Sequence, residues 1–201
     1  MSLTIYVEGG GNTRATLSEC RQGFSEFFAK VLKDKPRPKI VACGARNDAF
    51  TDFRIALGVG RADSLILLVD SEAPIEPTAS AWRHVKSHDK WTKPKGATED
   101  NVHLMVQSME AWFLADRDAL ARFYGQGFNA NALPRQPDVE QVPKAKVLAA
   151  LKEATRKTKT KGPYGKSDHG FELLRHIDPD KVCEGSKRAK RLIAVLKASK
   201  R

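Results

Sequence analysis

Residues 65–72 read LILLVDSE: five apolar side chains in succession, then an acid, a serine and a second acid. A run so short and so apolar suits a strand covered on both faces, as in the middle of a parallel sheet. It stops abruptly at Asp70 and Glu72. In open α/β sheets that carboxyl end is where ligands bind.

Upstream, residues 5–11 read IYVEGGG, a second β-rich run that ends in Glu8 and continues into Gly9, Gly10 and Gly11. From Thr13 to Asp34 the apolar residues Leu17, Cys20, Phe24, Phe27, Phe28, Val31 and Leu32 recur at helical spacing, and the prolines of KPRP close the helix. KIVACG is a further strand. RNDAFTDFRIALGVG offers Asn47 or Asp48 as a helix cap and an apolar face of Phe50, Phe53 and Leu57. Strand, helix, strand, helix, strand is the order of a layered α/β domain with a mainly parallel sheet flanked by helices. Residues 73–100 read as a long excursion with one helical turn. Residues 101–125 resume order, either as a strand running into a helix or as one helix. Beyond residue 127 come a loop, a helix over 144–156, a basic flexible linker (RKTKTKGPYGKSDHG) and two short closing helices. The expected division is therefore an α/β domain over 1–127 and a basic helical region over 128–201, packed on the first.

At 201 residues the chain is large enough to bury a core without staples. Its three cysteines include no C-x-x-C pair, which argues against structural zinc and fits a reducing, cytoplasmic setting. Cys43, beside a glycine in an apolar run, suits a small core residue better than a nucleophile. No apolar run approaches the roughly 18–20 residues of a membrane span. The net charge is +11, and residues 152–201 alone carry 15 Lys and Arg against 6 Asp and Glu. Such a basic footprint favours a polyanionic partner, nucleic acid above all.

Glu8 at one strand end and Asp70 and Glu72 at another would converge if the strands were neighbours. If the strand persists to Glu72, the two acids point to one face, because side chains alternate with period two. Like charges at such range need protons or a bound cation to offset them, and all-oxygen donors favour Mg²⁺ or Mn²⁺. The glycines suit close approach of backbone N–H groups to a phosphate, though the lysine and Ser/Thr of a P-loop are missing. Glu110, if helical, lies in an apolar stripe with Val106, Phe113 and Leu114, or serves as an acid favoured by a helix N-terminus. Arg46, after the second strand, should point to the same rim. Lys166 and His169, in KSDHG, suit contact with a phosphate or proton transfer.

A Glu after the first strand followed by glycine, with a later apolar strand ending in two acids one residue apart, resembles the Toprim domain of topoisomerases, primases and overcoming-lysogenization-defect-type nucleases. The resemblance implies Glu8 as general acid/base or metal ligand, and Asp70 and Glu72 as the Mg²⁺-binding pair for phosphoryl transfer. The Toprim motif has Asp where this chain has Glu72. YVEGGG, IVACGARNDAF, LLVDSE, HLMVQSMEAWFLAD and FELLRHIDPDKV together are similar to a bacterial family of uncharacterised Toprim-like proteins. That resemblance implies an AAA- or ABC-type ATPase encoded nearby, in a mobile-element or phage-defence setting. The expectation is a Mg²⁺-dependent nuclease with catalytic Glu8, Asp70, Glu72 and Glu110. The alternative is a non-catalytic basic adaptor that brings nucleic acid to an ATPase.

Overall fold

The computed structural model describes residues 3–33, 35–59, 65–76 and 78–199. Strand β1 (Thr4–Val7) leads to helix α1 (Arg14–Leu32), β2 (Lys39–Ala42), α2 (Arg46–Val59) and β3 (Leu65–Asp70). Then follow α3 (Ala81–Asp89), β4 (Val102–Met105), a 3₁₀ helix (Met109–Ala115) and α4 (Arg117–Tyr124). The chain closes through α5 (Lys144–Thr155), α6 (Lys166–His176), α7 (Pro179–Gly185) and α8 (Lys187–Ala198). Among the described residues none of these helices is long and apolar enough to cross a membrane.

The four strands form one sheet in the order β2-β1-β3-β4, and each neighbouring pair is parallel. The layered α/β architecture read from the strand–helix alternation is therefore the one the chain adopts. All six residues of β3 are buried, as the apolar run requires of an inner strand. From β1 the chain goes first to one side, to β2, and then to the other, to β3. The order thus reverses at β1, and the carboxyl ends of β1 and β3 are the switch point at which open α/β sheets take ligands. Glu8 and Asp70 stand at those ends.

Period two divides the sheet between two cores. Ile5, Val7, Ile66 and Leu68 face α1, whose Phe24, Phe27 and Phe28 fill one layer. Leu65, Leu67 and Val69 face the opposite way, onto Phe53 of α2 and Trp82 and Val85 of α3. Each such side chain removed from water contributes about 1.5–3 kcal/mol. The first core continues without a break into Leu120, Leu151, Leu173 and Leu192, so residues on both sides of position 127 share it. Helices α1 and α6 cross closely at Gly23, where a Cβ would stand 2.8 Å from the Phe171 carbonyl oxygen.

Three local expectations are corrected. Strand β3 does not persist to Glu72: it ends at Asp70, and Glu72 takes φ 61°, a left-handed backbone that turns the chain out of the sheet. The segment read as a basic linker is fastened instead. The Thr158 hydroxyl hydrogen-bonds the carbonyls of Thr155 and Gly162, and the Tyr164 N–H donates to the Thr155 hydroxyl. Helix α6 then starts at Lys166, earlier than the FELLRHI stripe indicates. Of the two readings of residues 101–125, the strand running into a helix is the one adopted: β4 leads through the 3₁₀ helix into α4.

Candidate metal centre

Asp70 shares its face of β3 with Ile66 and Leu68, so its side chain enters the layer between the sheet and the C-terminal helices. Its Oδ1 accepts the Met109 N–H at 2.8 Å, and the residue is 4% exposed. Glu8 leaves β1 toward the other face, where its Oε2 accepts the Asp70 N–H at 3.1 Å and Arg46 Nη1–H at 3.0 Å. The left-handed turn at Glu72 brings the third acid back toward the pair. Glu8, Asp70 and Glu72 each present an oxygen within 4.8 Å of the others. The convergence expected of neighbouring strand ends is present, though a turn rather than strand alternation produces it.

Two ammonium groups face this cluster from the C-terminal half. Lys144 Nζ donates to both oxygens of Glu72, at 2.7 and 2.6 Å, and lies 3.9 Å from Asp70 Oδ2. Lys166 Nζ lies 3.9 Å from the same Oδ2 and 3.3 Å from Glu110 Oε1. Glu110 has no exposed surface; its Oε1 also accepts the Tyr164 hydroxyl at 3.3 Å, while its Oε2 has no hydrogen-bond partner among the described residues. An unpaired buried carboxylate oxygen is costly.

These charges move several protonation equilibria. Burial, then the charges of Glu8 and Glu110, push the Asp70 carboxyl up to about 8, against the opposing pull of Lys166 and Lys144. For Lys166, burial acts to lower the pKa, but Glu110 and Asp70 outweigh it and hold the ammonium above its usual range. Burial and the Glu110 carboxylate push the Tyr164 phenol up, so it stays a donor.

Arg46 fixes Glu8 rather than facing outward. Its Nε and Nη2 form a fork with Asp89, both bonds at 2.8 Å, and Nη1 also donates to the Asp70 carbonyl. Trp91 covers the guanidinium at 5.0 Å and is itself stacked on Phe50. Asn47, a candidate cap, instead accepts the Trp91 indole N–H at 3.2 Å.

The three glycines shape the turn after β1, all with positive φ. The Gly9 N–H is engaged by the Gly44 carbonyl, in a bridge between the loops after β1 and β2. Gly10 has φ 90°, and a Cβ there would stand 2.9 Å from the Thr16 carbonyl oxygen. Gly11, at φ 54°, completes the turn. His169 is buried among Phe123, Tyr124 and Tyr164, and its Nδ1 accepts the Gly165 N–H. Cys43 is partly buried, and burial pushes its thiol up to about 12, the behaviour of a packing residue.

Lys144, which no quoted motif contains, and Gln107, inside HLMVQSMEAWFLAD but not singled out, also stand at the site. The Ser71 hydroxyl accepts the Gln107 N–H at 2.7 Å, and Gln107 Oε1 accepts the N–H of Lys144 at 3.3 Å. Gln107, like Glu72, holds a left-handed backbone, at φ 65°. Non-glycine residues in this region cost of order 1–3 kcal/mol and persist where the surroundings impose them, commonly at functional sites. Just past Glu72 a cleft of about 750 Å³ opens, lined by Ala73, Thr78, Arg83, His84, Ser87 and His88. That volume is typical of ligand sites.

Fold and site together define an α/β protein with an acidic cluster at the switch point of a parallel sheet. Within that class the chain belongs to the family described as "Domain of unknown function (DUF4276)", whose model matches residues 7–197. No curated protein and no solved structure matches it.

Proposed function

We propose that this protein is a Mg²⁺- or Mn²⁺-dependent phosphoryl-transfer enzyme, a nuclease acting on nucleic acid. The observation that carries the reading is the convergence of Glu8, Asp70 and Glu72 oxygens within 4.8 Å at the crevice where open α/β sheets take ligands. The donor set fits a hard divalent cation: every candidate ligand atom is a carboxylate oxygen. The nearby Glu110 Oε2, buried without a hydrogen-bond partner among the described residues, adds to the negative charge there. Glu8, Asp70 and Glu72 would hold the ion, which when bound supplies Lewis acidity toward a phosphoryl oxygen and water.

The chain's own residues supply the rest. Arg46, clamped by Asp89, holds Glu8 at a fixed angle, and the Met109 N–H does the same for Asp70. Lys166 and Lys144 place positive charge where a phosphodiester would lie. The basic stretches 157–166 and 187–191 attract the backbone without reading bases. The Toprim resemblance supports the same assignment, and an ATPase partner in a defence or mobile-element setting rests on that resemblance alone.

The second reading, a non-catalytic adaptor, is favoured by one contact: Lys144 neutralises Glu72 internally through both oxygens. One experiment separates the two. Cleavage of single- and double-stranded DNA and RNA is measured in Mn²⁺ and in EDTA, for wild type, Glu8→Gln and Asp70→Asn. The enzyme reading expects EDTA-sensitive cleavage lost in both variants, with polyanion binding retained. Binding that ignores EDTA and both substitutions, without cleavage by any of the proteins, supports the adaptor.

A further inference from the structure

The cations around the acidic cluster are of two kinds. Arg46 is built in: its donors are divided among Asp89, Glu8 and the Asp70 carbonyl, Trp91 covers it, and its side chain is 15% exposed. Lys144 and Lys166 reach in from the rim on flexible stems, with side chains 28% and 54% exposed. The carboxylates they meet are not equally free. Asp70 and Glu110 are buried, and Asp70 is tied to the Met109 N–H. When charges rearrange here, the lysines are the parts that can move.

Resting on the metal-site reading, the geometry points to Lys144 and Lys166 as exchangeable internal counter-cations and as the site's ligands for a phosphodiester anion. Without a divalent ion the two ammonium groups offset Glu72 and Glu110 and stand 3.9 Å from the Asp70 carboxyl. An ion entering among Glu8, Asp70 and Glu72 takes over that role and competes with both lysines, because Glu72 cannot give both oxygens to Lys144 and also ligate the ion. Displaced Lys144 stays beside the crevice without a carboxylate partner, and Lys166, which keeps Glu110 at 3.3 Å, gives up Asp70, so surplus positive charge gathers there. A phosphodiester supplies that partner. Lysine suits such an exchange as a compact point charge with rotatable donors, where an arginine fork would stay locked to its carboxylate.

Metal and phosphodiester therefore bind with positive coupling, each tightening the other by the same factor. This differs from additive binding at two neighbouring sites. It also explains how a cluster with three acids tolerates metal-free conditions: its own side chains hold the place of the ion. Neutralising the lysines should make the metal bind more tightly alone and less responsive to the anion, the reverse of the effect of removing an ordinary ligand.

The test is calorimetric titration of Mn²⁺ into the full chain, alone and with a saturating phosphorothioate-linked thymidine tetranucleotide. A methylphosphonate tetranucleotide of the same sequence, which lacks the charge, serves as the neutral control. Wild type should bind Mn²⁺ about tenfold more tightly with the charged oligonucleotide, within the usual 5- to 150-fold range of coupling, and be unchanged by the neutral one. The Lys144→Gln/Lys166→Gln variant should bind Mn²⁺ alone about tenfold more tightly than wild type, and its gain from the charged oligonucleotide should shrink to the direct attraction between ion and phosphodiester, well below that of wild type. Lys144→Arg/Lys166→Arg keeps the charge and should retain part of the coupling. It also supplies the comparison if the glutamine variant fails to fold. Equal Mn²⁺ affinity with and without the charged oligonucleotide, in a protein whose binding is lost on Asp70→Asn, overturns the exchange and leaves the metal site standing. Mn²⁺ binding that is absent, or indifferent to Asp70→Asn, overturns both.

Discussion

Asparagine at position 70 keeps the shape of the side chain and, through its carbonyl oxygen, the bond from the Met109 N–H, but removes the charge. Its effect on stability follows from the surroundings of the carboxyl. Burial first, then Glu8 and Glu110, raise the Asp70 pKa from 3.8 to about 8. In that interval the folded chain holds a proton that the unfolded chain has released. Because the folded state binds more protons, stability falls as pH rises. The contribution of Asp70 is fully favourable below the unfolded value of 3.8 and is lost as pH climbs through about 8. The span corresponds to on the order of 5 kcal/mol. Even a fifth of it, about 1 kcal/mol, moves Tm by about 2–4 °C in a chain of this size. Asp70→Asn should therefore melt higher than wild type at about pH 8.5 in EDTA, and the gap should close as pH falls toward about 4.5. Adding Mn²⁺ should raise the wild-type Tm and leave the variant unchanged, since a ligand stabilises only the state that binds it. Differential scanning calorimetry at several pH values, with EDTA and with Mn²⁺, reads all of this. A variant that melts at or below wild type at about pH 8.5 in EDTA would refute the reasoning.

Other perturbations probe the scaffold around the site. Arg46→Met leaves Glu8 and Asp89 without their shared partner; it should cost about 3 kcal/mol in urea unfolding and weaken Mn²⁺ binding, and Arg46→Lys should recover little because the fork to Asp89 is lost. Gly10→Ala forces a side chain onto a backbone at φ 90° and into the Thr16 carbonyl, so its urea midpoint should drop by the equivalent of about 1–3 kcal/mol with an unchanged slope. Gly23→Ala pushes α1 off α6 at the Phe171 carbonyl and should cost a similar about 1–3 kcal/mol, seen as a lower Tm. In α8, Arg188 and Arg191 hold the Ala79 carbonyl and Asp100, whereas Lys187 and Lys190 are exposed. Lys187→Gln/Lys190→Gln should thus lower the salt dependence of DNA binding by about one contact each and leave Tm unchanged, while Arg188→Gln should lower Tm.

The apolar run of β3 and the helical stripe of α1 were enough to read the layered sheet, because both patterns record burial directly. Glu8 and Asp70 were legible for the same reason: an acid that follows a buried strand stands at its end. The route of Glu72 was not. It depends on a left-handed turn that a glutamate rarely adopts, held through Ser71 and Gln107 from another loop. Lys144 left no local signal, since its place is set by the bond from its N–H to Gln107, a tertiary contact. Arg46 stands at the rim where its place after β2 puts it, but Asp89 and Trp91, far along the chain, give it internal partners that the sequence does not show. His169 shows the limit of residue type as evidence: its ring is packed among aromatic side chains.

The order of charges along the chain bears on how the molecule is made. Glu8, Asp70, Glu72 and Glu110 are synthesised before Lys144 and Lys166, so a growing chain holds its acids together with only Arg46, already shared with Asp89, to balance them. Until α5 and α6 dock, the acids of the early segment lack the two ammonium groups that face them in the folded chain. The site therefore reaches its resting charge only when α5 and α6, which carry the two lysines, have docked on the sheet.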